Sequence, residues 1–235
     1  MSMLKESADT LLTAVFPKTC RLCGEVIELD ETLCDECKNV KKIEPPICMS
    51  CGYSKEECVC KKHKHEYKGI AAPYYYKDSV KTAVNNFKAR GMTFLADGFS
   101  KDMADSVRET YADIHFDLIT FVPLRNFHEH CRGFNQSALL AEGVGKELGI
   151  PVEKLLYKSR YTGVQHNKSA KERSVAVYGS FKVYREYENK LGGRTILLID
   201  DVKTTGSTLN ECAKMLKLSG ADAVYALTLA VTYHK

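Results

Sequence analysis

Two adjacent carboxylates and a hydroxyl-rich loop form the stretch of this sequence with the clearest chemical character. Asp200 and Asp201 follow the branched apolar run 196–199, and six residues come directly after Val202: Lys203, Thr204, Thr205, Gly206, Ser207 and Thr208. Helical spacing of apolar residues then begins at Leu209. A loop that opens a helix in this way directs free backbone N–H groups at an anion. The stretch therefore predicts a phosphate site, and the alternative for the acidic pair is an ordinary strand-end turn.

The cysteines form a second chemical feature, since eight of the ten lie between residues 20 and 60. Two CxxC pairs separated by ten residues suit one tetrahedral zinc ion: Cys20, Cys23, Cys34 and Cys37. A less regular set predicts a second zinc site: Cys48, Cys51, Cys58 and Cys60. His63 or His65 could replace a thiol there, or could belong to a solvated Lys/His run.

Zinc ions with four protein ligands have no coordination position left for a substrate, so we expect structural rather than catalytic metal. Such a module either staples a segment too small to form its own core or provides a docking surface for protein or nucleic acid. The sequence leaves these two interpretations open.

The segments that must position these residues alternate between strand and helix. Strand-like runs occupy residues 69–76, 117–122, 180–184, 196–199 and 222–231, and helical spacing occupies residues 78–90 and 94–111 and follows residues 136 and 208. Alternation of this kind predicts an α/β fold built on a mainly parallel sheet. Tyr74, Tyr75 and Tyr76 could stack on bases, but tyrosines of a strand are more often core.

Composition narrows the class of protein. A chain of 235 residues with 44% hydrophobic residues suits one large domain or one domain with a small module, and the clustered cysteines favour the second. The net charge of +4 permits a phosphate-rich ligand or a nucleic acid without requiring either. Lys5, Glu6 and Asp9 interrupt the apolar pattern at the start of the chain, so we expect no membrane insertion and a cytoplasmic protein.

Two further segments have functional character. The strand at 117–122 runs into Pro123, Leu124 and Arg125, and residues 132–136 lead into a helix with Arg132, Asn135 and Gln136. A glycine between Arg and Asn at a helix start suits an anion or sugar, although Asn135 could simply cap the helix. The polar, basic segment 159–173 is long enough for a functional loop.

Taken in order, these motifs closely resemble the ComF family, whose members combine a double zinc ribbon with a type I phosphoribosyltransferase domain. The resemblance runs nearly end to end and rests on Phe16-Pro17, Val122-Pro123-Leu124, Arg132-Gly133-Phe134-Asn135-Gln136, Gln165, Arg173, Asp200-Asp201-Val202 and Thr204-Thr205-Gly206-Ser207-Thr208. It implies a twisted, mainly parallel sheet under a small hood. It also implies a zinc module at residues 1–65 and a phosphoribosyltransferase-type domain at 66–235.

The resemblance further implies binding of phosphoribosyl pyrophosphate with Mg²⁺. Asp200 and Asp201 would accept hydrogen bonds from the ribose hydroxyls, while residues 203–208 would surround the 5-phosphate. Pro123, Leu124 and Arg125 would contact pyrophosphate, with Arg132, Asn135 and Gln136 also at the ligand. Catalysis would fall to Asp200, Asp201 and Arg125, under a mobile loop that carries Arg160, Gln165 and Arg173.

Four positions depart from the family pattern: His128, Lys168, Ala176 and Thr204. Thr204 stands where several purine transferases have an aspartate base, which argues against purine salvage. The first hypothesis is therefore a glycosyltransferase-class enzyme that transfers phosphoribosyl to an unknown acceptor. The second is an accessory protein of competence and DNA uptake that binds single-stranded DNA or a helicase partner through its zinc module.

Overall fold

The structure is a computed structural model that describes residues 17–58, 60, 64–124, 133–159 and 179–233. Its elements in chain order are α1 (Asp35–Lys38), β1 (Ile70–Ala71), β2 (Tyr74–Tyr76), α2 (Asp78–Ala89), α3 (Leu95–Thr110), β3 (Leu118–Phe121), α4 (Gln136–Leu148), β4 (Leu156–Lys158), β5 (Phe181–Val183), a 3-10 turn (Arg185–Tyr187), β6 (Thr195–Lys203), α5 (Ser207–Leu218) and β7 (Ala223–Thr232).

The main sheet has five strands, and every pairing in it is parallel. β7 lies between β6 and the edge made by β1 and β2, while β3 pairs with the other side of β6. The predicted strand 69–76 is interrupted at Pro73, which has no backbone N–H to donate to a neighbour. A separate antiparallel pair joins β4 to β5. The expected mainly parallel α/β architecture is confirmed.

Helices cover both faces of this sheet. Leu197 and Ile199 of β6 pack into a core with α2, α3 and α4, whereas Ile196 and Leu198 pack into a second core with α5 and β5. Burial on both faces is the reason that residues 196–199 form an unbroken apolar run. Among the described residues, no helix is long and apolar enough to cross a membrane.

The cysteine-rich segment packs against the sheet at two places. Cys20, Cys23 and Cys37 are buried in the same core as α2 and α3. The segment around the second cysteine set instead contacts the sheet edge, where Tyr53 packs with Tyr75 and Val231 in a third apolar cluster. Tyr74 and Tyr75 are buried, as expected for core residues of an edge strand.

Candidate functional site

The acidic pair lies beyond the end of one neighbouring strand and alongside the other. β3 ends at Phe121, opposite Ile199, whereas β7 continues to pair with β6 as far as Lys203, opposite Val231. The observed strand β6 is therefore longer than the predicted strand 196–199, and it includes both carboxylates. On the β3 side the pair thus lies at the carboxyl ends of the strands, the usual ligand position in open α/β sheets. Pro123 and Leu124 follow β3 at the same edge.

Asp200 is held in place by two donors. Its Oδ1 accepts hydrogen bonds from the Ser137 hydroxyl at 3.0 Å and from the Asp201 backbone N–H at 2.9 Å. Burial, followed by the neighbouring Asp201 charge, raises the pKa of Asp200 to about 7, against an ordinary value of 3.8. The pair therefore holds a proton near neutral pH more readily than two separate carboxylates would.

Asp201 makes an ion pair with a residue of another helix. Lys88 Nζ lies 2.8 Å from Asp201 Oδ2, and both side chains are largely shielded from solvent. From the sequence, a lysine near the end of α2 could face a phosphate, although basic residues at a helix C-terminus usually interact with the helix dipole. The structure shows that it also supplies a positive charge to the acidic pair.

The loop after β6 turns sharply into α5. Gly206 has a φ of +79°, a left-handed conformation that side chains rarely adopt, and it directly precedes Ser207, the first residue of the helix. The Thr205 and Ser207 hydroxyls lie 2.9 Å apart. The first N–H groups of any helix lack intrahelical acceptors. Residues 204–208 directly follow the strand that carries the two carboxylates, and they present N–H donors and hydroxyls. We call this segment the phosphate loop.

Asn135 caps α4. Its Oδ1 accepts from Ser137 N at 2.9 Å and Ala138 N at 3.3 Å, and its Nδ2 donates to the Val122 carbonyl at 3.2 Å. The capping interpretation is thus what the structure shows, and it positions Ser137 against Asp200. Gln136 is buried beside it. Direct contacts of Asn135 and Gln136 with a ligand stay predictions.

Several predicted site residues lie outside the described residues. These are Arg125 and Arg132 of the expected anion sites and Arg160, Gln165 and Arg173 of the expected mobile loop. Ser137 and Lys88, in contrast, reach the acidic pair although the sequence placed neither of them among the site residues. Their contacts depend on how α4 and α2 cross the sheet, which local spacing does not report.

Each cysteine set converges to a compact cluster. Within each set the four sulfur atoms lie within 4.8 Å of one another, and His65 stacks on Tyr67 with ring centroids 4.6 Å apart. Tetrahedral zinc with Zn–S bonds of about 2.3 Å places its sulfurs about 3.8 Å apart. Cys23 and Cys34 are 3.6 Å apart, Cys48 and Cys60 3.7 Å. Both clusters, Cys20/Cys23/Cys34/Cys37 and Cys48/Cys51/Cys58/Cys60, therefore fit structural zinc.

Known proteins place the chain in a family. A family model for a double zinc ribbon domain matches residues 11–67. The chain is 30% identical over 216 residues to the competence protein ComFC of Bacillus subtilis strain 168. The match covers 87% of this chain and 86% of that protein. It is 28% identical over 208 residues to competence protein F of Haemophilus influenzae (84% and 90% covered). It is 27% identical over 227 residues to the DNA utilization protein YhgH of Escherichia coli K12 (92% and 98% covered). The chain belongs to the ComF family.

Two solved structures of phosphoribosyl enzymes match part of the chain. A glutamine phosphoribosylpyrophosphate amidotransferase of B. subtilis is 24% identical, with 57% of this chain and 26% of that chain covered and a TM-score of 0.39. A purine phosphoribosyltransferase of Pyrococcus horikoshii is 18% identical, with 59% and 73% covered and a TM-score of 0.36. The family assignment rests on the sequence relatives. The parallel sheet and the zinc ribbon agree with the fold class expected for that family.

Proposed function

We propose that this protein binds phosphoribosyl pyrophosphate with Mg²⁺ and transfers the phosphoribosyl group to an acceptor, releasing pyrophosphate. The observation that carries the proposal is the continuous arrangement of β6, the acidic pair, the left-handed Gly206 and the start of α5. To bind a sugar phosphate, a protein needs hydrogen-bond acceptors for the sugar hydroxyls and, a few residues away, hydrogen-bond donors for the phosphate. This segment supplies both.

The geometry suggests a role for each part. Asp200 and Asp201 would accept hydrogen bonds from the two ribose hydroxyls, and residues 203–208 would bind the 5-phosphate. Pro123 and Leu124 start the segment proposed for pyrophosphate, which continues to Arg125. Carboxylate oxygens are suitable ligands for Mg²⁺, but the described residues offer few of them here, so pyrophosphate oxygens would complete its coordination. Bound there, the metal would neutralise charge on the leaving group.

The chemistry would depend on positioning and electrostatics. An acceptor nucleophile would form a bond to the anomeric carbon while the bond to pyrophosphate breaks, and the electron pair of that bond would leave with pyrophosphate. Thr204 is exposed and carries no carboxylate, so the protein offers no base at the position where several purine transferases have an aspartate. We therefore place the acceptor outside the purine bases.

Isothermal calorimetry with phosphoribosyl pyrophosphate and Mg²⁺ tests this proposal. We expect saturable binding by the zinc-loaded protein and at least a tenfold weaker affinity in Asp200→Ala/Asp201→Ala, because the ribose hydroxyls lose their acceptors. The matched control is Asp113→Ala/Glu142→Ala, which removes two exposed carboxylates. Absence of binding by the unmodified protein, or equal binding by the acidic-pair variant, would refute the proposal.

A second candidate function is single-stranded DNA binding in competence. The relatives named for competence and DNA utilization support it, as does a surface cavity of about 710 Å³ beside the second cysteine cluster. Lys55 and Lys68 line this cavity with His65, whose ring stacks on the buried Tyr67, and none of its described lining residues is acidic. Basic side chains beside a partly exposed ring suit single-stranded DNA, whose bases are free to stack. A helicase partner is the other proposal for the same module.

Fluorescence anisotropy with a labelled oligonucleotide tests DNA binding. We expect affinity to fall steeply as salt rises, because phosphate contacts release counterions. Lys55→Gln/Lys68→Gln should lower the affinity about fivefold or more and flatten the salt dependence. Lys101→Gln/Lys146→Gln, which removes two exposed lysines on α3 and α4, is the charge-matched control. Affinity that does not change with salt would argue for the protein-docking role instead.

A further inference from the structure

The second cysteine cluster lies directly against the phosphate loop. Lys203, the last residue of β6, donates a hydrogen bond from Nζ to the backbone carbonyl of Cys51 at 3.3 Å. Its Cε lies 3.2 Å from the position that a Cβ on Gly206 would occupy. One side chain therefore contacts both the loop that opens α5 and the turn at residues 48–53, which we call the cysteine turn.

Tyr67 closes the same junction from a second direction. Its hydroxyl oxygen lies 3.2 Å from that position at Gly206, and its side chain is only 3% exposed. The hydroxyl has no hydrogen-bond partner among the described residues. Together, Lys203 and Tyr67 fill the space between Gly206 and the cysteine turn, so the loop cannot shift toward the zinc module without displacing them.

A separate path joins the two sites through the end of β7. The Tyr53 hydroxyl donates to the Thr232 carbonyl, and the Thr232 hydroxyl donates to the Thr204 carbonyl at 3.3 Å. Gly52 allows close packing here, since a Cβ at that position would lie 3.1 Å from Val231. The cysteine turn thus contacts the phosphate loop by two routes, one through Lys203 and one through Thr232.

The charges of the two sites favour Lys203 in its observed position. Four thiolates around one Zn²⁺ carry a net charge of about −2, and a phosphate monoester carries about −1.5 to −2. The Lys203 ammonium lies between these two anionic sites, where it compensates both. We propose that Lys203 couples the second zinc site to the phosphate loop, so that occupancy of each site strengthens the other.

This coupling takes the loop to be a phosphate site and so rests on the proposed function. Coupling between two sites is reciprocal: if zinc at the second cluster improves phosphate binding, phosphate must raise the zinc affinity of that cluster by the same factor. Affinity differences usually appear in the dissociation rate, so we expect phosphate to slow zinc release. The first cluster packs against α2 and α3 instead and should not respond. Zinc release is therefore a readout that distinguishes coupling from simple support of the fold.

The ligand-free arm of the experiment measures zinc release to a chromogenic chelator. Cys51→Ser identifies the kinetic phase that belongs to the second cluster. We expect Lys203→Met to accelerate that phase about fivefold or more, leaving the first-cluster phase as an internal control for folding. Lys101→Met, which removes an exposed lysine of α3, should match the unmodified protein. Equal second-cluster rates in Lys203→Met and the unmodified protein would overturn the proposal, whether or not any ligand binds.

The ligand arm adds ribose 5-phosphate, whose binding is first measured by calorimetry without Mg²⁺. Saturating ribose 5-phosphate should slow the second-cluster phase about fivefold or more in the unmodified protein and leave it unchanged in Lys203→Met. If calorimetry detects binding but the second-cluster phase does not respond, the coupling is overturned while the phosphate site stands. Failure to bind phosphoribosyl pyrophosphate refutes the proposed function instead, and the ligand-free arm still decides whether Lys203 supports the zinc site.

Discussion

Replacing Cys37 by serine is expected to remove one equivalent of zinc and to unfold the N-terminal module with part of the core beneath it. Cys20, Cys23 and Cys37 are all buried in the core that contains Phe87 and Phe99. A structural zinc supplies on the order of 10 kcal/mol of folding free energy, which is comparable to the whole stability of a typical domain.

Metal analysis and thermal unfolding followed by circular dichroism measure this effect. The unmodified protein should contain two equivalents of zinc and Cys37→Ser one, with a strongly lowered melting temperature or aggregation. Cys60→Ser should also lose one equivalent but unfold less, because the cysteines of its cluster are only half-buried. Cys212→Ser changes a buried cysteine outside both clusters and should keep both ions. Two retained zinc ions in Cys37→Ser would contradict the assignment of this cluster.

The sheet was predictable because its central strands carry a strong local pattern. The run 196–199 is apolar at every position since both faces of β6 are covered, and Gly206 marks the change from strand to helix. The close pairing of cysteines likewise predicted which of them converge, because ligand pairs separated by only one or two residues fit one tetrahedral ion. These signals are local, so the sequence reports them directly.

The contacts between distant segments were not predictable in the same way. Lys88 and Asp201 are separated by more than a hundred residues, and their ion pair depends on the angle at which α2 crosses the sheet. The hydrogen bond from Lys203 to Cys51 joins two segments that the sequence assigned to different domains. Neither contact leaves a periodic signal, since each involves one side chain from each segment.

Asp200 connects the stability of the protein to the pH dependence of its proposed ligand site. Burial and the Asp201 charge raise the pKa of Asp200 to about 7, from an ordinary value of 3.8. Between these pH values the folded protein binds a proton that the unfolded chain does not. The contribution of Asp200 to the free energy of unfolding therefore decreases as pH rises from about 4 through about 7. Above that pH an ionised, poorly solvated carboxylate destabilises the ligand-free protein.

Asp200→Asn should consequently stabilise the ligand-free protein at pH 8 by on the order of 2 kcal/mol, and by much less at pH 4, because the asparagine carries no charge to bury. It can still accept the hydrogen bonds from Ser137 and the Asp201 N–H. Urea denaturation at the two pH values measures this difference. An asparagine variant that is less stable than the unmodified protein at pH 8 would contradict the burial argument.

The same carboxylate should make ligand binding depend on pH in the opposite sense. An ionised Asp200 accepts a hydrogen bond from a ribose hydroxyl, so the affinity for ribose 5-phosphate should fall up to about tenfold per pH unit as pH decreases below about 7. Asp200→Asn should bind more weakly at pH 8 and show a shallower pH profile. The pH dependence of affinity that remains in this variant comes from the ligand phosphate, which titrates near pH 6. Calorimetry between pH 6 and 8 measures both profiles, and parallel profiles would mean that the proton taken up at low pH resides elsewhere than on Asp200.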